Sequence, residues 1–316
     1  MTLVRLARYA MATRFELALY GERESFLRAA GEEALDEIER LEAQLSLYRA
    51  DSDVSDLNRR AAQEAVPVDP RLFALLVRAR QLSAETDGAF DITIAPLMRC
   101  WGFVGGSGQM PTEEAIAEAR ERVGMRHVLL DESRCTVQFD REGVSLDFGA
   151  IGKGYAIERA ADLLRENGIT RALLHGGTST IYAIGTPPDA EGWPIAIQRP
   201  FADATDAPLT QMILRDEALS VSAPHGKWFE APGRRYGHVL DPRTGHPTSR
   251  SLLAALVLPS ATDSDALSTA LLTLGAEGLP RLLTHRPDAR YLLAAEEETG
   301  DLRLTSNLAN AVRSAV

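Results

Sequence analysis

The stretch SLDFGAIGKGYAIERAADLL, Ser145 to Leu164, leaves the chain few ways to fold. Glycines stand at 149, 152 and 154, just before a helical segment that Gly168 ends. The pattern predicts a strand ending at Asp147, a sharp turn, and a helix starting near Lys153. Glycine lets a backbone bend tightly and come close to a ligand. A helix N-terminus presents free N–H groups and a partial positive charge, to which Lys153 adds a full one. The glycine spacing is not that of a Walker A loop, which also needs a Ser or Thr after the lysine, nor that of the dinucleotide fingerprint. The stretch reads either as a phosphate cradle or as a glycine-rich turn with a surface lysine.

A local cation matters because the chain is acidic. Its formal net charge is -11 over 316 residues. That argues against a partner among nucleic acids or anionic membranes. Hydrophobic residues make up 45% and charged residues 25%, the balance of a globular enzyme. Cys100 and Cys135 are too few for a disulfide framework or a zinc cluster, and read as two buried thiols. The longest apolar run, LLAALVL (Leu252 to Leu258), is too short for a membrane span. Arg5 and Arg8 interrupt the N-terminal stretch, so neither a signal peptide nor a lipid anchor is read there. The expected location is cytoplasmic, unless an export segment precedes this chain.

Elsewhere the periodicity alternates irregularly. TRFELALYG alternates as a half-buried strand, and SFLRAAGEEALDEIERLEAQL is spaced as an amphipathic helix. DPRLFALLVRARQLSAETDG is a second helix, with Asp69 as N-cap, Pro70 at its first position and Gly88 beyond its end. TEEAIAEARERVG is a third, capped by Thr112. HVLLD, CTVQFD and VSLDFG read as short strands, and strands dominate from Arg171 to Leu258. Helices at DALSTALLTLG and GLPRLLTH follow, then strands at ARYLLAA and LRLT. The fold class is α+β, with largely antiparallel sheets flanked by helices in two interleaved lobes. GTPPDAEGWP is a surface loop, so residues 1–316 read as a single domain.

Four further stretches bear on chemistry. In ATDSDALSTALLTLG, Thr262, Asp263 or Ser264 caps the helix, and Asp265 and Thr269 share a face with Ser268 beside them. A carboxylate with hydroxyls suits Mg²⁺, though the same residues crowd helix starts for capping alone. In TDGAFDITIAPL, Asp91 is either a turn residue or a hydrogen-bonding partner for a base or ribose. Tyr48 ends an apolar run beside a polar loop, where it is half-buried or lies under an aromatic ligand. In GHVLDPRTG, Val239 and Leu240 look like a strand end, Asp241-Pro242 begins a turn, and Gly245 closes it. His238 is then either a polar strand-end residue or a proton handler beside a rigid turn.

These segments, in this order from about Met11 to Gly275, resemble the FAD:protein FMN transferase (ApbE) family. The Asp-x-Gly-x-x-x-Lys-Gly, His-x-x-Asp-Pro-x-Thr-Gly and Asp-Ala-x-x-Thr elements carry the resemblance. It implies an ApbE-like fold and Mg²⁺-dependent transfer of FMN from FAD to a Thr or Ser hydroxyl of an acceptor flavoprotein, with release of AMP. It implies a metal site of the Ala150 carbonyl, Asp265, Ser268 and Thr269. It implies FAD contacts from Met11, Tyr48, Ala89, Phe90, Asp91, Asp147, Lys153 and Val239. His238 would be the general base, and Lys153 and Asp265 would share the catalytic work with it.

Two departures stand out. Ser222-Ala223-Pro224 occupies the place of the family's usual Ser-Gly pair, and Thr178 follows Gly176-Gly177 where Asn or Asp is usual. Both bear on the acceptor more than on FAD. His225 and His246 read as exposed loop histidines. Alternative functions on the same scaffold are an FAD pyrophosphatase giving FMN and AMP, and a non-catalytic FAD carrier.

Overall fold

The structure is a computed structural model. It describes residues 1–201, 207–224, 226, 228–231, 233–297, 299 and 301–308. His225 falls outside the described residues.

The chain opens with a hairpin of β1 (Thr2–Ala10) and β2 (Thr13–Gly21), then α1 (Glu24–Leu45), α2 (Asp53–Arg60), β3 (Val66–Pro67), α3 (Pro70–Glu85), α4 (Ala95–Cys100) and α5 (Glu113–Arg120). Next come β4 (Val128–Asp131), β5 (Thr136–Phe139), α6 (Gly152–Glu166), β6 (Ala172–Gly176) and β7 (Thr180–Ile184). A run of strands follows: β8 (Trp193–Ile197), β9 (Thr210–Leu214), β10 (Glu217–Ser222), β11 (Trp228–Ala231), β12 (Arg234–Gly237) and β13 (Leu253–Leu258). The last elements are α7 (Ala261–Leu274), α8 (Leu279–His285), β14 (Arg290–Glu296) and β15 (Leu302–Ser306).

The main sheet has eight strands in the order β1-β2-β6-β7-β10-β13-β14-β15. Every neighbouring pair in it is antiparallel, as the α+β reading requires. Side chains alternate between its faces. Leu174, Tyr182, Ile184 and Ala218 face one core with α1 and α6. Ile181, Ala183, Leu219 and Val257 face another, closed by Trp193, Ile195 and Met212 of the β8–β9 hairpin. Both faces of the sheet centre are therefore covered. That is why β13, the longest apolar run in the chain, is buried at every position. A third core joins α2, α3 and the β3-β5-β4 sheet to Leu267 and Ala270 of α7.

Helix ends follow local chemistry. The Asp69 carboxylate accepts from the amides of Arg71 and Leu72 at the start of α3, and Pro70 needs no partner there. Thr112 caps α5 in the same way.

Four expectations need correction. VSLDFG forms no strand; Asn58 takes the ladder's place, donating to the Leu146 carbonyl at 3.1 Å and accepting from its amide at 2.7 Å. The chain after β12 is no longer strand at Val239 and Leu240, although Leu240 keeps a single bridge to Pro247. Ser260, not Thr262, Asp263 or Ser264, caps α7 by accepting from the Asp263 amide. The two cysteines are free thiols, half-buried instead of buried.

Candidate active site

The N-terminal turns of α6 and α7 meet closely. The Gly154 amide donates to Asp265 Oδ2 at 2.8 Å. A Cβ at position 154 would lie 2.3 Å from the Ala261 carbonyl oxygen and 2.5 Å from Asp265 Cβ. Only glycine lets the two helices approach this closely. Glu158, one turn along α6, accepts from Ser260 Oγ and the Thr262 amide, both at 2.7 Å, and so fixes the start of α7.

Asp265 is 4% exposed. Its second oxygen accepts from Thr180 Oγ1 at 3.3 Å. Burial pushes its carboxyl above the usual range, and the charge of Lys153 and the Gly154 amide oppose that push. Lys153 Nζ donates to the Gly149 carbonyl at 3.3 Å, within the glycine turn that contains Ala150. The Asp147 carboxylate accepts from the Gly149 amide at 2.8 Å, and the Asp147 amide donates to the Ile92 carbonyl at 2.7 Å. Lys153 therefore bonds the same glycine turn that Asp147 holds, and its charge acts on Asp265.

The Ser268 and Thr269 hydroxyls lie 2.9 and 3.3 Å from the Asp265 carbonyl oxygen. Both also reach Ser222 Oγ, at 2.8 and 3.1 Å. Among the described residues no three His, Cys, Asp or Glu side chains gather into a metal centre. A cation at Asp265 would thus rest on one carboxylate with hydroxyl and carbonyl oxygens. These are hard donors that fit Mg²⁺, and a buried carboxylate gains from a balancing charge.

His238 follows β12 directly. Its ring meets Phe103 edge-on, with centroids 6.5 Å apart. A Cβ on Gly226 would come within 3.1 Å of its Cε1. The turn after it is rigid. Gly245, at φ 81°, donates its amide to the Asp241 carbonyl at 2.7 Å, and the Asp241 carboxylate accepts from the Arg243 amide and guanidinium. Trp101 Nε1 donates to the Gly245 carbonyl at 2.8 Å. His246 is half-buried, edge-on to Trp101. Val239 packs against the core formed by Leu271, Leu272 and Leu279.

The remaining expected contacts are mixed. Tyr48 is 65% exposed beside Asp147, whose charge, after burial, raises the phenol pKa. So exposed a ring is suited to stacking on a flat ligand. Met11 occupies the β1–β2 turn, and its amide donates to Glu42 Oε1 at 2.6 Å. Ala89 and Phe90 are buried. Asp91 makes the contacts of a turn residue, the first of its two readings. Its oxygens already accept from the Thr93 amide and hydroxyl, the Met125 amide and Ser83 Oγ. At Ala89–Asp91 a ligand would meet backbone. A cleft of about 580 Å³ beside this stretch is lined by Arg80, Arg120, Arg126 and Arg243, a positive surface on an acidic protein.

Thr180, Ser222, Gly226 and Phe103 touch this constellation and were not singled out as site residues from sequence. Ser222 had its signal in the altered Ser-Ala-Pro segment; the others had none.

Residues 11–293 match the sequence profile of the ApbE family. A Klebsiella pneumoniae (strain 342) protein named FAD:protein FMN transferase is 34% identical over 257 residues, which span 79% of this chain and 77% of that protein. The crystal structure of the ApbE protein from Thermotoga maritima superposes with a TM-score of 0.87 at 28% identity, covering 96% of each chain. The apo form of the Pseudomonas stutzeri flavinyl transferase ApbE gives a TM-score of 0.82 at 30% identity, covering 96% of this chain and 94% of that one. With the fold shared over nearly its whole length, the chain belongs to the ApbE family.

Proposed function

We propose that this chain is an FAD:protein FMN transferase, a single catalytic domain that flavinylates an acceptor flavoprotein. Its relatives carry that name. The observation that carries the reading is the buried Asp265, held between the Gly154 amide and Thr180, with Lys153 and two hydroxyls beside it.

The donor set supports Mg²⁺ held by Asp265, Ser268, Thr269 and the Ala150 carbonyl. Bound there, the ion would offset negative charge on the pyrophosphate of FAD. Lys153, at the start of α6, is suited to take a phosphate oxygen. Tyr48 offers a stacking face, and Met11, Asp147, Val239 and the backbone of Ala89, Phe90 and Asp91 would line the rest of the FAD site. His238 would accept the proton of the acceptor's Ser or Thr hydroxyl. The freed oxygen bonds to the FMN phosphorus, the anhydride P–O bond breaks, and AMP leaves with that electron pair. Attack by water in place of the hydroxyl would give FMN and AMP.

The experiment is AMP release from FAD with Mg²⁺, with and without an acceptor flavoprotein domain, while intact mass tracks the FMN. FMN mass on the acceptor, with AMP release that depends on it, is the expected result. AMP and free FMN regardless of acceptor would make the chain a pyrophosphatase. FAD bound but unchanged would make it a carrier.

A further inference from the structure

Three hydroxyls meet where the end of β10 touches α7. Ser222 Oγ lies 2.8 Å from Ser268 Oγ and 3.1 Å from Thr269 Oγ1. Ser268 Oγ donates to the Asp265 carbonyl at 2.9 Å, and Thr269 Oγ1 lies 3.3 Å from that same oxygen. Each hydroxyl has one proton and two lone pairs. One direction of donation satisfies all three protons along the three shortest contacts: Thr269 to Ser222, Ser222 to Ser268, and Ser268 to the carbonyl. It leaves both lone pairs of Thr269 Oγ1 and one of Ser268 Oγ uncommitted.

We propose that Ser222 is a positioning residue of the cation site, which takes the Thr269 proton and so turns that hydroxyl's lone pairs toward a divalent metal. This rests on the reading of Asp265, Ser268 and Thr269 as metal ligands. Without Ser222 the Thr269 proton has only the longer path to a carbonyl that Ser268 already uses, and the hydroxyl is free to rotate. A hard cation binds best to oxygens already oriented for it, as outer-shell partners of metal ligands generally ensure. Ser222 also ends the strand that precedes Gly226 in sequence, where an added Cβ would come within 3.1 Å of His238 Cε1.

The test is a Mn²⁺ titration of the flavin-free protein, read by electron paramagnetic resonance, on wild type, Ser222→Ala, Ser222→Cys and Ser222→Thr. Cysteine nearly keeps the shape but is a weak hydrogen-bonding group. The Ala and Cys variants are expected to raise the Mn²⁺ Kd by about 10–100-fold, while Thr restores it to within a few-fold. FAD affinity measured without metal should stay near wild type in all three. An unchanged Mn²⁺ Kd in Ser222→Ala or Ser222→Cys would overturn the role of Ser222 alone. So would parallel losses of FAD affinity, metal affinity and melting temperature that Thr does not rescue. Absence of Mn²⁺ binding in the wild type would overturn the metal reading with it.

Discussion

Gly154 and Asp265 lock two helix starts together: the amide of one donates to the carboxylate of the other at 2.8 Å, with no room for a side chain between them. A methyl group at 154 would meet the backbone oxygen of Ala261 at 2.3 Å, and backbone cannot step aside cheaply. Gly154→Ala should destabilise the protein by about 1–3 kcal/mol, as overpacking does. It should also separate Asp265 from Lys153 and lower FAD turnover. Urea unfolding and AMP release check this; wild-type values in both would refute the close-approach argument.

Asp265→Asn separates charge from shape. The new amide oxygen can accept from Gly154 while the amide nitrogen donates to Thr180. Removing a buried charge should leave metal-free stability unchanged or slightly raised. Mg²⁺-dependent AMP release should nevertheless fall by about 100-fold or more, the scale seen when a preorganised electrostatic group is lost. Turnover that kept its wild-type dependence on Mg²⁺ would remove Asp265 from the metal site.

Much of this arrangement was legible in the sequence, for local reasons. Asp69-Pro70 and Thr112 announced helix starts because caps act within three residues. Asp265, Ser268 and Thr269 could be grouped because helical spacing puts them on adjoining faces. The misses were non-local. Asn58 replaces a strand partner for Leu146 from 88 residues away. Ser222 finds Ser268 from 46 residues away, through a strand order that periodicity does not reveal. At α7 several polar residues compete for one cap, and Glu158 on another helix settles the choice by bonding Ser260 and Thr262. The turn role of Asp91 was legible, but its further partners, Ser83 and Met125, come from both sides in sequence.

His238→Ala should separate binding from chemistry. The ring meets Phe103 edge-on and lies close to Gly226. If it takes the acceptor's proton, transfer should slow by about 10²–10⁴-fold while FAD affinity changes little. Equilibrium FAD binding and single-turnover transfer distinguish the cases. Equal loss in both would make His238 a binding residue.

A pH effect should arise away from the active site, at His127 and Asp140. His127 is 2% exposed, and its Nδ1 lies 2.9 Å from Asp140 Oδ1. The hydrogen bond from His127 holds the Asp140 carboxyl below its ordinary 3.8. A depressed carboxyl stabilises the fold above its unfolded pKa and loses that contribution as pH falls through the folded value. Asp140→Asn should therefore be less stable than wild type at neutral pH. The gap should close as pH drops below 3.8, the reference value for Asp140. Urea midpoints of both proteins from neutral pH downward test the sign; a gap that widens in acid would contradict it.

The turn at Met11-Ala12 carries strain beside the proposed flavin site. Both residues have positive φ, 50° and 58°, in a two-residue connection between paired Ala10 and Thr13. Such turns favour Asn-Gly, because a Cβ in the left-handed region costs roughly 1–2 kcal/mol. Glu42 holds the turn by accepting the Met11 amide at 2.6 Å. Ala12→Gly removes one Cβ penalty, partly offset by the greater freedom of glycine in the unfolded chain. The net expectation is a gain of up to about 1 kcal/mol in urea unfolding. If Met11 contacts FAD from a turn held under strain, the same change should loosen its placement and weaken FAD affinity. A more stable protein with weaker FAD binding is the expected pair of results. A loss of stability would show that the turn is not strained at Ala12.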